Sequence, residues 1–67
     1  MFPIVDLMDV RVLEERGDAI LILAPGKTGT PREIIVPLNV IDDGPTKKGQ
    51  RGALSVSRDW ARFQGLL

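Results

Sequence analysis

The clearest strand-like patterns of hydrophobic residues lie on the two sides of Gly17. Residues 10–15 alternate with the period of a strand that is buried on one face. Residues 19–24 (AILILA) form a continuous apolar run of strand length. Gly17 tolerates the positive φ that a hairpin turn requires. The pattern therefore predicts a β-hairpin.

The AILILA run also predicts that the sheet has two apolar faces, because successive side chains of a strand point to opposite sides. One face would form the core. The other would be covered by a C-terminal helix, by the sheet curling into a barrel, or by a partner chain. Leu21 and Leu23 are accordingly candidates for a dimer face.

The remainder of the first two thirds of the chain predicts short extended segments. Residues 25–31 hold two prolines and two glycines, which indicates a loop. Residues 32–36 predict a strand, residues 38–41 continue an extended path, and residues 42–45 form a turn. The apolar residues of segment 2–9 keep no single period, so it receives no assignment.

The last nineteen residues predict a strand followed by a short helix. Leu54 and Val56 alternate with serines, and Ser57 is placed as the helix N-cap. Gly65 is placed to end the helix in a left-handed conformation. The spacing of four, three and four predicts that one buried stripe of this segment consists of Val56, Trp60, Phe63 and Leu67.

Together these elements predict a single mostly-β domain over residues 1–67. Four to five short strands with tight turns and a late helix are typical of a small barrel, of the Src-homology-3-like or a related type. A chain of 67 residues buries only roughly 60% of its unfolded surface, so its stability depends on packing within the chain or against another chain.

The composition limits the metal sites, cofactors and catalytic reactions that the chain can support. The chain has no cysteine and no histidine, which excludes disulfides and removes the usual ligands of zinc, haem and iron–sulfur centres. No cofactor or metal is expected. The side chains available for acid–base and nucleophilic catalysis are reduced, so we expect no enzyme. No apolar run reaches the roughly 20 residues of a membrane helix, and a cytoplasmic protein is expected.

Charge is unevenly distributed along a chain of zero net charge. Residues 1–24 carry five acidic side chains against two arginines, which gives −3. From residue 44 onward one aspartate stands against five basic residues, which gives +4; these candidate binding residues are Lys47, Lys48, Arg51, Arg58 and Arg62. Such a division indicates a surface for a polyanion, two faces that attract each other between subunits, or a solvated surface only.

The end of the chain is similar to a known pattern of strand, serine-initiated helix and Gly-Leu. The matching residues are Gly52, Leu54, Val56, Ser57, Gly65 and Leu66. The segment, about fifteen residues long, resembles the one found in swapped-hairpin and double-psi barrel domains such as the AbrB-type transition-state regulators. The resemblance implies dimerisation and DNA binding.

These observations favour a non-catalytic interaction module that binds a protein partner, as an adaptor or inhibitor, or itself as a homodimer. The first alternative is a DNA- or RNA-binding module that uses the basic C-terminal half, with phosphates bound by the cations and bases stacked on Trp60 or Phe63. The second alternative is a dimeric DNA-binding regulator of the AbrB-like swapped-hairpin type. No small-molecule substrate or membrane partner is expected.

Overall fold

The computed structural model of the chain describes residues 3–25 and 29–66. The strands form one antiparallel sheet in the order β3-β2-β1-β5-β4, which confirms the mostly-β prediction with a short C-terminal helix. Residues 26–28, within the predicted loop, lie outside the described residues. The elements of the described ranges are β1 (Ile4–Arg16), β2 (Ala19–Ala24), β3 (Arg32–Pro37), a 3₁₀ helix (Leu38–Val40), β4 (Ile41–Asp43), β5 (Arg51–Ser57) and α1 (Arg58–Phe63).

The predicted hairpin is present as β1 and β2. Their pairing runs from Arg16 opposite Ala19 to Arg11 opposite Leu23. Gly17 has a φ of 66° in the turn, a value that glycine adopts without strain. β1 is 13 residues long and also pairs with β5 along its other side. It therefore occupies the centre of the sheet.

A bulge in β1 explains why segment 2–9 shows no single hydrophobic period. Between the pairs Leu7–Leu54 and Val10–Gly52, β1 has one residue more than β5. Asp9 lies in this bulge with a φ of 55°, which aspartate tolerates better than most residues. The extra residue changes the inward positions from odd to even numbers. Residues 4–9 thus belong to β1, although their periodicity is interrupted.

The core lies on one face of the sheet and draws on four of the strands and on α1. One short helix cannot cover five strands, so the sheet must curl around this inner face. The edge strands β3 and β4 are not paired with each other in the described residues, and the sheet is therefore not closed by hydrogen bonds. The buried residues are Val10, Val12, Ile20, Ile22, Ala24, Ile34, Val36, Leu54, Val56 and Ala61.

The predicted extended path over residues 38–41 is wrong for its first part. Residues Leu38–Val40 form a 3₁₀ helix, and only Ile41 begins the next strand. Pro37 pairs with Ala19 at the end of β3 and has no N–H with which to continue a ladder. The next amide, that of Leu38, turns away and donates to the carbonyl oxygen of Asp18 at 2.8 Å. The chain is thereby redirected towards β4.

The helix begins where the sequence predicts. The hydroxyl oxygen of Ser57 accepts a hydrogen bond from the amide of Trp60 at 3.4 Å, as an N-cap does. Gly65 has a φ of 74°, as expected of the residue that ends a helix. The polypeptide therefore forms the predicted strand-to-helix junction.

The predicted buried stripe is wrong at Phe63, which is 91% exposed. Ala61 is the helical residue that is fully buried, and Phe63 lies about 200° around the helix from it. Because Ala61 has a small side chain, the helix backbone can approach the sheet closely there. Trp60 is half-buried and packs against the core. Leu67 lies outside the described residues.

We expect Phe63→Ala to change the free energy of unfolding by less than about 0.5 kcal/mol, because the ring is in solvent. Trp60→Ala removes an aromatic ring that packs on the core and should cost about 2 kcal/mol. Urea denaturation of the two variants measures the difference. Equal losses would contradict the observed orientation of α1.

We expect Gly44→Ala to destabilise the protein by about 3 kcal/mol, because strain and steric overlap act together. Gly44 has a φ of 121°, and an added Cβ would lie 2.6 Å from the carbonyl oxygen of Ala53. Gly49 is the matched control, because its φ is 88° with no atom within 4 Å of the added carbon. Gly49→Ala should cost about 1 kcal/mol, the strain alone. A similar loss in both variants would mean that residues 43–45 can move away from β5 freely.

Candidate functional site

The side of β1, β2 and β3 that faces away from the core carries apolar residues that the core does not use. On β2, Leu21 and Leu23 are half-buried there, whereas their neighbours Ile20 and Ile22 are fully buried. On β3, Ile35 is 52% exposed between two buried residues. We call this side the outer face, and its members are Arg11, Leu13, Glu14, Arg16, Ala19, Leu21, Leu23, Glu33, Ile35 and Pro37.

Strand pairing arranges the outer face in rows across the three strands. Residues that are paired in adjacent strands have their side chains on the same face. Leu13 is the extra residue of a second bulge in β1 and lies beside the middle row. Taken in the order β1, β2, β3, the rows are Arg11–Leu23–Glu33, Glu14–Leu21–Ile35 and Arg16–Ala19–Pro37.

The centre of the outer face is apolar, and its border is charged. Leu21 and Ile35 are directly paired, and Leu23 lies next to Leu21 on the same side of β2. Apolar residues in the middle of a patch with charged residues around them are the usual anatomy of a protein-binding surface. Ile35 also lies on an edge strand, where an exposed apolar residue favours association with another chain. The outer face is therefore the candidate site.

Two charged groups of the outer face form an ion pair with each other, and two others are unpaired within the described residues. Arg16 Nη2 lies 3.3 Å from Glu14 Oε2, an exposed ion pair that contributes little to stability. Arg11 and Glu33 are exposed and form no ion pair with any residue in the ranges 3–25 and 29–66. Leu23 separates them in their row. Within those ranges, opposite charges at the two ends of this row thus remain available to a partner.

The basic residues predicted as a binding group lie at two separate places. Lys47, Lys48 and Arg51 precede or begin β5, whereas Arg58 and Arg62 belong to α1. The seven-residue strand between them spans roughly 20 Å. The structure therefore does not bring all five side chains together.

The first of these two groups contacts the central strand. Arg51 is directly paired with Arg11, so two guanidinium groups lie on the same face. Lys47 Nζ is 3.7 Å from Glu15 Oε1, and the Lys48 amide donates to Glu15 Oε2 at 3.3 Å. Part of the basic charge is thus compensated by β1.

Two shallow depressions border these features. One, of about 290 Å³, is lined in part by Arg11, Arg51 and Leu23 at the end of the outer face. The other, of about 420 Å³, lies between Ile4 and the β4 region on the opposite side of β1. Among residues 3–25 and 29–66, no group of three or more acidic, cysteine or histidine residues is arranged to hold a metal ion.

Comparison with protein-family models, with curated proteins and with solved structures found no match to this chain. In the described part of the chain, no helix has the length and apolar character needed to cross a membrane.

Sequence reasoning identified two members of the outer face and missed the others. Leu21 and Leu23, the candidate dimer residues, both lie on it and are half-buried. Arg11, Glu33 and Ile35 were missed. The signal was available in Arg32–Pro37, where two consecutive isoleucines require that one of them faces away from the core. Which charges lie beside it depends on strand pairing.

Proposed function

We propose that this protein is a non-catalytic interaction module and that the outer face is its binding surface for another protein. The observation that carries the proposal is the exposed Ile35 beside the half-buried Leu21 and Leu23. These three side chains form a continuous apolar surface with opposite charges at its border.

Burial energetics support this proposal. Apolar surface gains roughly 25 cal/mol for each Å² removed from water, so an apolar patch favours association. The folded chain does not need this patch for its core, since the inner positions of β2 and β3 are filled by other residues. Charged border residues such as Arg11 and Glu33 add specificity more than affinity. The outer face is therefore suited to contact with a protein.

We also propose that the curled sheet is a partly open barrel of the Src-homology-3-like or a related type. Inner residues of β2, β3 and β5 belong to one core, as in a barrel interior. The 3₁₀ helix connects the two edge strands and would bridge the remaining opening. In this architecture the side chains of the inner face form the core, and the outer face is the side of the sheet that can bind a partner.

Nucleic-acid binding is the second candidate function, because Arg51 is paired with Arg11 and follows Lys47 and Lys48. Two like charges placed opposite each other in a sheet are destabilising unless an anion compensates them. A phosphate backbone would supply that anion. This candidate ranks second because Glu15 already compensates Lys47.

The first proposal predicts a covalent adduct from position 35. Ile35 is replaced by a photoreactive benzophenone amino acid, and the protein is irradiated in the cells that make it. A side chain that is 52% exposed at the centre of a binding surface should crosslink to a partner, which gives a product above the 7.4 kDa of the chain. Gel electrophoresis and mass spectrometry measure the product.

Phe63 provides the control, since it is 91% exposed but lies on α1, which packs against the core side of the sheet. The same photoreactive group at position 63 should give no adduct. Leu23→Glu in the chain labelled at position 35 should remove the adduct, because a carboxylate would enter the apolar contact. An absence of adducts from position 35 overturns the proposed function.

Nucleic-acid binding, the second candidate function, requires the positive charges near the start of β5. If a single-stranded oligonucleotide binds at low salt, Lys47→Glu with Arg51→Glu should abolish the binding, which itself should weaken steeply as salt is added. The control variant, Arg58→Glu with Arg62→Glu, has the same change in charge roughly 20 Å away and should still bind the oligonucleotide. Fluorescence anisotropy measures both variants. No binding at low salt would remove this candidate.

A further inference from the structure

We infer that the partner of the outer face is a second copy of this chain, packed face to face about a twofold axis parallel to β2. The inference rests on the proposed function and names the occupant of the same surface. Its basis is the order of charged and apolar residues within the rows, which is complementary to itself in this orientation.

A twofold axis lying between the two faces and along β2 leaves each row opposite its own copy and exchanges β1 with β3. Arg11 of one copy then faces Glu33 of the second copy, and Glu33 faces Arg11. Leu23 meets Leu23 between these two pairs. Both charges are exposed and form no ion pair with another described residue, so they are available for the contact. A twofold contact of this kind is self-complementary.

The other two rows are compatible with the same axis, since the third row places Ala19 opposite Ala19 and Arg16 opposite Pro37. In the middle row Leu21 meets Leu21, and Ile35 faces the Leu13 and Glu14 bulge of the second copy. Glu14 is bound to Arg16 of its own chain at 3.3 Å, which directs its carboxylate along β1. The centre of the contact is thus apolar, with the two charge pairs at one end.

An axis perpendicular to the strands gives a poorer match. It places β1 opposite β1, so Arg11 faces Arg11, Glu14 or Arg16 of the second copy, according to where the axis crosses β2. In the case of Glu14, the carboxylate is already paired with Arg16 of its own chain, and Glu33 is left opposite Ile35. Like charges across an interface oppose association. Of the two symmetric ways to stack these sheets with strands aligned, charge therefore selects the axis along β2.

The size of the face predicts a weak dimer. Three strands about 4.8 Å apart and three rows about 6.8 Å apart give roughly 300 Å² of facing area for each copy. A standard stable interface buries about 800 Å² on each partner. We therefore expect a dissociation constant in the micromolar range or weaker, and the measurement must extend to about 1 mM of protein.

Charge reversal across the axis tests the inference by sedimentation equilibrium on the full chain. Arg11→Glu or Glu33→Arg alone should weaken dimerisation at least tenfold, because each creates two contacts between like charges. The double variant should return the dissociation constant to within about threefold of the wild type. A mixture of the two single variants should form a mixed dimer, since both contacts become attractive.

Arg62→Glu serves as the control, because it has the same change of charge on the exposed side of α1. It should leave dimerisation unchanged, and circular dichroism confirms that each variant is folded. A wild-type chain that remains a monomer at 1 mM overturns the inference. Single variants that dimerise like the wild type also overturn it.

The mass of the adduct from position 35 separates this inference from the proposed function. A product of twice 7.4 kDa supports both. A product with a different protein retains the interaction module and overturns the self-association. No product from position 35, together with a wild-type monomer at 1 mM, overturns both.

Discussion

The sheet depends on β1, because this strand lies between its two halves and pairs with both. β1 pairs with β2 on one side and with β5 on the other. A straight strand of 13 residues would be about 43 Å long, longer than the largest dimension of the protein, 29 Å. The bulges at residues 8–9 and 13 bend and twist the strand. Val10 and Val12, between the bulges, are consequently buried in the core.

The sequence predicted those elements that depend on interactions between residues close together in the chain. The positive φ of Gly17 is a requirement of a short hairpin turn, and the hydroxyl of Ser57 satisfies an amide at the start of the helix. The apolar run Ala19–Ala24 correctly indicated a strand with two apolar faces. Each of these features involves residues within a few positions of one another. For this reason a single sequence was sufficient.

Other features depend on contacts between distant residues, which explains why they were missed. The bulge containing Asp9 becomes visible only when β1 is aligned with β5. The helix orients Ala61 inward because a small side chain lets it approach the sheet, whereas hydrophobicity alone favoured Phe63. Ile35 could be assigned to the outer face from alternation, but its charged neighbours could not. Arg11 and Glu33 share a row through pairing across three strands.

Strand pairing also brings together charged residues that are far apart in the sequence. The acidic first third and the basic last third appear separated in sequence, yet β1 and β5 are neighbours in the sheet. Lys47 and Glu15, 32 positions apart, are 3.7 Å apart in space. Part of the division is therefore compensated within the molecule, which weakens the attraction of these basic residues for a polyanion. Arg11 and Glu33 escape this compensation within the described residues, and both lie on the outer face. Their arrangement favours selection among protein surfaces, since two isolated opposite charges fix orientation while adding little affinity.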